Sequence, residues 1–374
     1  MMKQVLLGVA LAVAIVLSIG ALRGRSAPAG FTAVADDGGA MTAIAIHFDP
    51  RVVAQVGETY EDLLHELPSD VKVYVLVEKA ADFARLQQLL ATWHVAARER
   101  FQSVVVGKRI TTWSRDRYTL VEGKNGPVLM VPPRPTKANP ARENDWDAPF
   151  ALAGAVPGLR THIADLVFEG GDLTVTSKYV FATAVLRERN QGGDLYDPRE
   201  LRAWLRHYTG KEPIILGDTA ADVPAHHIGM FVTPLDDHRI MVGDPDLGLA
   251  LFDRSGSDAS VLPYPIDRRE ETLQRFRNVI TQLDAAGFEL IHVPLVPLTD
   301  GLTYVTYNNV LLEHRDGAVH AYVPQFGLAA MDQAGRDAFA AAGVVVHPIR
   351  VANIYRYNGT VRCLVNIVRR ATRG

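Results

Sequence analysis

Four short segments of this chain carry side chains able to do covalent or proton-transfer chemistry. The first holds Cys363, the only cysteine among 374 residues. A lone thiol forms no internal disulfide and belongs to no cysteine metal cluster. It is therefore a buried structural thiol, an incidental surface one or a nucleophile, and free cysteine on its own often behaves as a small hydrophobe. The second segment is His226-His227-Ile228-Gly229-Met230-Phe231. Adjacent residues on a strand point to opposite faces, and no His/Asp/Glu cluster at ligand spacing accompanies the pair. The histidines thus read as a proton-transfer group or a satisfied core imidazole rather than as metal ligands. The third, Glu169-Gly170-Gly171-Asp172, places two carboxylates around a double glycine that permits close backbone approach. Taken alone it is a hairpin turn with solvated acids. The fourth, Trp113-Ser114-Arg115-Asp116, is taken alone an Arg–Asp surface pair under a packed indole.

The elements that must position these segments alternate between strand and helix. Val71–Glu78 is a valine-rich run of strand length. Ala80–Val95 follows with Phe83, Leu86, Leu90 and Trp93 on one helical face, and Phe101–Gly107 returns as a strand. Asp197 caps a helix over 197–208, with Pro198 suited to its first turn. Helices near 269–286 and 332–342 stop at Gly287 and Gly343, each placed to adopt the left-handed conformation that ends a helix. Short strands, 288–293 and 344–347, come directly after. Helices flanked by short strands, recurring along the chain, predict a repeated supersecondary unit. Residues 125–155, with Pro132, Pro133, Pro135 and Pro140, read as a long loop with Asn144-Asp145-Trp146-Asp147 at its tip. Such a loop either covers an active site or is a tolerated surface insertion.

Apolar residues make up 48% and charged residues 22%, so the chain has ample core. A formal net charge of -3 and scattered basic residues exclude the usual signature of a nucleic-acid partner. Residues 1–30 stand apart. Lys3 precedes an apolar stretch from Val5 to Leu22, followed by Arg23, Arg25 and the small-residue box Ala27-Pro28-Ala29. This order predicts a signal peptide or an uncleaved membrane anchor, with residues 31–374 as one exported catalytic domain, periplasmic or secreted. An exported thiol without an internal partner favours function over neglect.

The order of the four segments carries more than any one of them. Trp-x-Arg-Asp, then the acidic double glycine, then His-Ile-x-Met-Phe, then a near-terminal cysteine resembles the guanidine-modifying enzymes of the pentein superfamily. The resemblance is closest to the agmatine deiminase and bacterial peptidylarginine deiminase branch. Tyr307-Asn308-Asn309-Val310 and Val323-Pro324-Gln325-Phe326-Gly327 match further motifs of that branch. The resemblance implies a five-bladed, pseudo-symmetric α/β propeller of ββαβ repeats around a central pocket. It implies that Cys363 attacks a guanidino carbon, that His227 protonates the departing ammonia and then deprotonates water, that Asp116 grips the guanidinium and that Glu169 orients His227. Trp113, Arg115, Asp172 and Asn309 would contact the substrate. The partner would be a small guanidine or an arginine-containing peptide, and neither metal nor organic cofactor would be needed.

A cationic, resonance-stabilised carbon explains the residue types. Carboxylates hold the planar guanidinium through paired hydrogen bonds, and a thiolate is the common side-chain nucleophile strong enough to attack it. Two departures bear on the substrate. Gly229 stands where the branch carries the aspartate of His-x-Asp, a second guanidinium clamp, and Arg362 replaces a histidine before the nucleophile. Asp172 is a candidate for the missing charge, and a widened pocket would suit N-substituted guanidines. The alternatives are a membrane-tethered binding protein with weakened chemistry on the same fold, or an amidinotransferase or dimethylarginine-hydrolase type of enzyme.

Overall fold

Five short sheets organise the described residues, and each contains the same three-strand kernel: an antiparallel pair, then a helix-containing crossover to a parallel third strand. The computed structural model describes residues 30–134 and 140–371. Of the expected leader, residues 1–30, all but residue 30 lies outside the described residues. No helix among the described residues is long and apolar enough to cross a membrane.

In chain order, one kernel comprises Thr119–Gly123, Gly126–Val131 and Arg160–Ile163. The next comprises Thr174–Val175, Tyr179–Thr183 and Glu212–Leu216, with helix Pro198–Thr209 in the crossover. A third comprises Val232–Pro234, Arg239–Asp244 and Glu289–Pro297, crossing through helix Glu270–Ala285. A fourth comprises Leu311–Arg315, Ala318–Gln325 and Val344–Arg350, crossing through helix Ala329–Ala341. The fifth joins distant parts of the chain. Val365–Arg370 runs antiparallel to Met41–His47, which continues through helix Val53–Glu66 into Lys72–Val77. The repeated unit predicted from sequence is thus a β–β–α–β unit, with the fifth copy divided between the two ends of the described chain.

Local chemistry accounts for these elements. Met41–His47 and Lys72–Val77 are buried at nearly every position, as parallel strands covered on both faces must be, and so read as apolar runs rather than alternating ones. Helix Pro198–Thr209 starts where the Asp197 side chain accepts the amide of Arg199 at 2.7 Å, and it buries Leu201, Trp204 and Leu205. Gly287 and Gly343 adopt φ +87° and +79° after their helices, as expected.

The reading of 125–155 as one loop is corrected. Gly126–Val131 is a central strand, and Pro140–Asn144, Asp145–Asp147 and Ala148–Ala155 are helical. The expected tip is packed rather than exposed. Asp145 is fully buried, accepting the Thr111 amide at 2.6 Å and its hydroxyl at 2.5 Å. Trp146 lies against Phe150 and donates to the Pro132 carbonyl. Clustered prolines masked short helices whose burial comes from tertiary packing.

Candidate active site

The segment that enters the first strand of each kernel is where the chemistry-bearing residues sit. Asp116 lies in the turn Ser114–Arg117 before Thr119–Gly123. Glu169 caps the turn Gly170–Asp172 before Thr174–Val175, and His227 caps Ile228–Met230 before Val232–Pro234. Asn309 stands two residues before Leu311–Arg315, and Cys363 lies in the single turn Val361–Leu364 before Val365–Arg370. One such residue per repeat, at one place in each repeat, brings together residues that are far apart in sequence.

Side-chain hydrogen bonds hold these entry segments against one another. The Ser114 hydroxyl donates to the Leu364 carbonyl at 2.7 Å, and Asn366 donates to the carbonyls of Ser114 and Tyr118 at 3.2 and 3.1 Å. Asn309 Oδ1 accepts from the Thr360 hydroxyl at 2.7 Å, from the Arg362 amide at 3.1 Å and from the Cys363 thiol at 3.5 Å. The double glycine is required by approach. A Cβ on Gly170 would lie 2.1 Å from the Arg115 carbonyl oxygen, and one on Gly171 would lie 2.4 Å from His227 Nδ1. The imidazole therefore packs flat against a backbone that only glycine can present.

Cys363, His227, Glu169, Asp116 and Trp113 line one cavity of about 400 Å³, together with His226, Arg142, Arg189 and the exposed Leu302 and Tyr357. Cys363 and Asp116 are 4% and 3% exposed. His227 Nε2 donates to Glu169 Oε2 at 2.9 Å. Glu169 is further paired with Arg142 at 2.7 Å, Arg189 at 3.2 Å and Arg117 at 3.7 Å. Asp116 Oδ2 accepts from Arg142 at 2.5 Å, whereas its buried Oδ1 has no hydrogen-bond partner among the described residues.

The electrostatics follow from these contacts. Burial works against charge on His227, but the neighbouring Cys363, the Glu169 hydrogen bond and the field of Asp116 outweigh it and hold the imidazole well above its ordinary value, while Nδ1 has no hydrogen-bond partner among the described residues. Burial likewise disfavours the Glu169 carboxylate, yet the contact with His227 and the charges of Arg189 and Arg142 hold it well below the usual range. His226 behaves oppositely: burial and the neighbouring His227 push it down to about 3, so it stays neutral. A cationic imidazole beside a thiol, oriented by a carboxylate, can both stabilise a thiolate and deliver a proton.

Several sequence expectations are corrected. His226 and His227 do not point to opposite faces; they lie outside any strand, their rings 4.8 Å apart, and both face the cavity. Arg115 is not in the cavity wall. It is buried between Asn366 and the Leu173 carbonyl, 4.0 Å from Asp36. Asp172 is not there either. It accepts the Glu169 amide at 2.7 Å and pairs with Arg189 at 3.4 Å, so it braces the turn and a wall arginine. Asn309 sits beneath the thiol and supports its loop. Gly229 also lies outside this cavity: a Cβ there would meet the Arg362 side chain at 3.2 Å. Arg362 is buried against Asp36 at 2.9 Å, so the replacement at Gly229 makes room for an arginine and does not widen the thiol's pocket.

Arg142 and Arg189, the two wall cations, were not anticipated. No local pattern marks either among 39 lysines and arginines. The place of Arg142 in the chain, between the two acidic motifs, is the one signal the sequence offers for it.

No protein-family model and no curated protein matches the chain. Solved structures do share its fold. Agmatine deiminase from C. jejuni has a TM-score of 0.66, with 92% of this chain and 96% of that chain covered at 14% identity. A cysteine-to-serine variant of the C. jejuni enzyme with substrate bound has 0.65, covering 90% and 96% at 13% identity. Agmatine deiminase of Enterococcus faecalis has 0.63, covering 90% and 95% at 12% identity. At these identities the likeness establishes a mixed α/β fold common to this chain and the agmatine deiminases.

Proposed function

We propose that this protein is a thiol hydrolase of guanidines, acting on a C–N bond, on a five-bladed α/β propeller whose entry loops form the site. The observation that carries the reading is the convergence of Cys363, His227, Glu169 and Asp116, from four different repeats, on one cavity. The shared fold with agmatine deiminases supports it.

In this reading the Cys363 thiolate adds to the guanidino carbon while Asp116 pairs with the guanidinium nitrogens. The tetrahedral adduct collapses as the His227 imidazolium gives its proton to the departing nitrogen, releasing ammonia and leaving a thiouronium on Sγ. Water, losing a proton to His227, then adds to the same carbon. The C–S bond breaks as the carbonyl forms, the second water proton passes to solvent with the ammonia, the ureido product leaves and the thiolate is restored beside the imidazolium. Glu169 keeps the imidazole oriented throughout and favours its protonated form before each cycle.

The test is to incubate the purified protein with agmatine, arginine, methylated arginines and an arginine peptide, measuring released amine and ureido product. Cys363→Ser should lose on the order of 10³-fold or more in turnover while keeping its fold. Unchanged turnover in that variant would sink the reading. A wild type inert toward every guanidine would favour a binding protein on this fold. The sequence of residues 1–30 further supports action outside the cytoplasm, tested by fractionating cells that express the full chain; finding it only in the cytoplasm would overturn that.

A further inference from the structure

We propose that Arg142 is a resident competitor of the substrate, its guanidinium seated on the two carboxylates where the guanidinium to be hydrolysed must bind. The identity of the incoming ligand rests on the deiminase reading; the present occupant of the seat rests on geometry alone.

Arg142 presents one nitrogen to each acid. Its Nη1 donates to Asp116 Oδ2 at 2.5 Å and its Nη2 to Glu169 Oε1 at 2.7 Å. The two acids come from entry segments of different repeats, so this planar fork spans the cavity as an arginine-like ligand would. A single guanidinium satisfies this arrangement, and a second cannot take the same two oxygens. Its charge is held by this seat: burial opposes it, but Asp116 and Glu169 outweigh burial and raise the guanidinium further above its ordinary value.

One acceptor of the seat is not used by Arg142, and the side chain has somewhere to go. Asp116 Oδ1 is buried without a hydrogen-bond partner among the described residues, an acceptor that Arg142 does not use. Asp145 Oδ2 lies 3.9 Å from Arg142 Nη1, its carboxylate already fixed by Thr111. The Arg142 backbone is anchored, since its carbonyl accepts from Arg117 at 3.1 Å. Exchange therefore needs a side-chain movement from Asp116 toward Asp145, with the cation paired at both ends. A ligand that binds only when the seat is free has its apparent affinity lowered by the fraction of time it is free. Arg142 thus sets how strongly any guanidine must bind.

The experiment follows alkylation of Cys363 by iodoacetamide in the full chain, with the bare guanidinium ion at millimolar concentration as protecting ligand and potassium as the ionic control. Arg142→Met keeps much of the side-chain length and removes the fork. The half-protecting guanidinium concentration should fall about tenfold, as for a seat occupied roughly nine-tenths of the time. Arg142→Lys, with a charge but no fork, should fall between the two and serves if the methionine variant does not fold. Equal protection in wild type and both variants, or none in any, overturns the proposal. Turnover of guanidines is read separately. If none is hydrolysed by wild type or variant, the deiminase reading fails, while the protection data still decide who holds the seat.

Discussion

Exchanging Glu169 for glutamine preserves the outline of the residue and removes the charge that His227, Arg142 and Arg189 share. Glutamine can still accept from Nε2, so the loss is the charge-assisted part of the bond, about 1–2 kcal/mol from ranges of 1.5–3 for charged and roughly 1 for neutral hydrogen bonds. Glu169 is little exposed, 16% for its side chain, so solvent screening takes only a small share. The protonated state of His227 should become roughly 5–30-fold less favoured. The sign follows from linkage. A histidine raised in the folded state contributes stability that is fully present below its unfolded value, about 6.5, and is lost as pH rises through the folded value. Glu169 itself stays ionised across that window, because its carboxylate is held well below the usual range. The stability gap between wild type and Glu169→Gln should therefore be widest in mild acid and shrink toward alkaline pH. Proton NMR of the His227 ring through a pH titration, beside urea unfolding at several pH values, measures both. An unchanged His227 midpoint would refute the claim that Glu169 holds the imidazole cationic.

Other outcomes follow from neighbouring groups. Gly229→Asp places a carboxylate against Arg362, not beside the thiol, so relative kcat/KM values for substituted and simple guanidines should not move; a shift toward simple guanidines would show that the residue does reach the substrate. Arg362→Met removes the nearer arginine from the buried Asp36 carboxylate, leaving Arg115 at 4.0 Å and the Val175 amide, and should destabilise the fold by about 3–5 kcal/mol in urea unfolding; a loss below 1 kcal/mol would mean the remaining partners hold the charge. His47 is pushed down to about 4, chiefly by burial, with Nδ1 donating to the Thr111 carbonyl at 2.8 Å. Its neutral form stabilises the fold above about pH 6.5, and as pH falls toward 4 on the order of 3 kcal/mol should be lost. Comparing wild type with His47→Gln at pH 7 and pH 5 checks this, and equal pH slopes would contradict it.

What was legible in the chain divides along physical lines. Helix stops at Gly287 and Gly343 and the start at Asp197 are local events, set by residues within one turn of each other, and they read correctly. So did Cys363, His227, Glu169, Asp116 and Trp113 as residues of one pocket, because their types and order carry the chemistry. Helices Val53–Glu66 and Pro245–Ser255 were not read, since their stability comes from a face packed against strands distant in sequence. Arg115, Asp172 and Asn309 sit in the right segments but face inward, and a side chain's direction depends on partners such as Asn366 and Thr360 that no local pattern reveals. Gly229 illustrates this most clearly. Its meaning depends on Arg362, 133 residues on in the numbering, whose side chain fills the space beside it.

The pairing of Val365–Arg370 with Met41–His47 has a consequence for biosynthesis. A ribosome delivers Met41–Val77 early and the Cys363 segment after every other repeat, and domains generally gain structure as they emerge. Until those last residues arrive, the Met41–His47 strand is an open sheet edge of the kind that invites pairing with another chain. The thiol meanwhile has neither His227 nor Asn309 beside it. Docking Val365–Arg370 would close the edge and seat the Cys363 thiol in one event, so a nascent or truncated chain ending before Val365 should be prone to self-association.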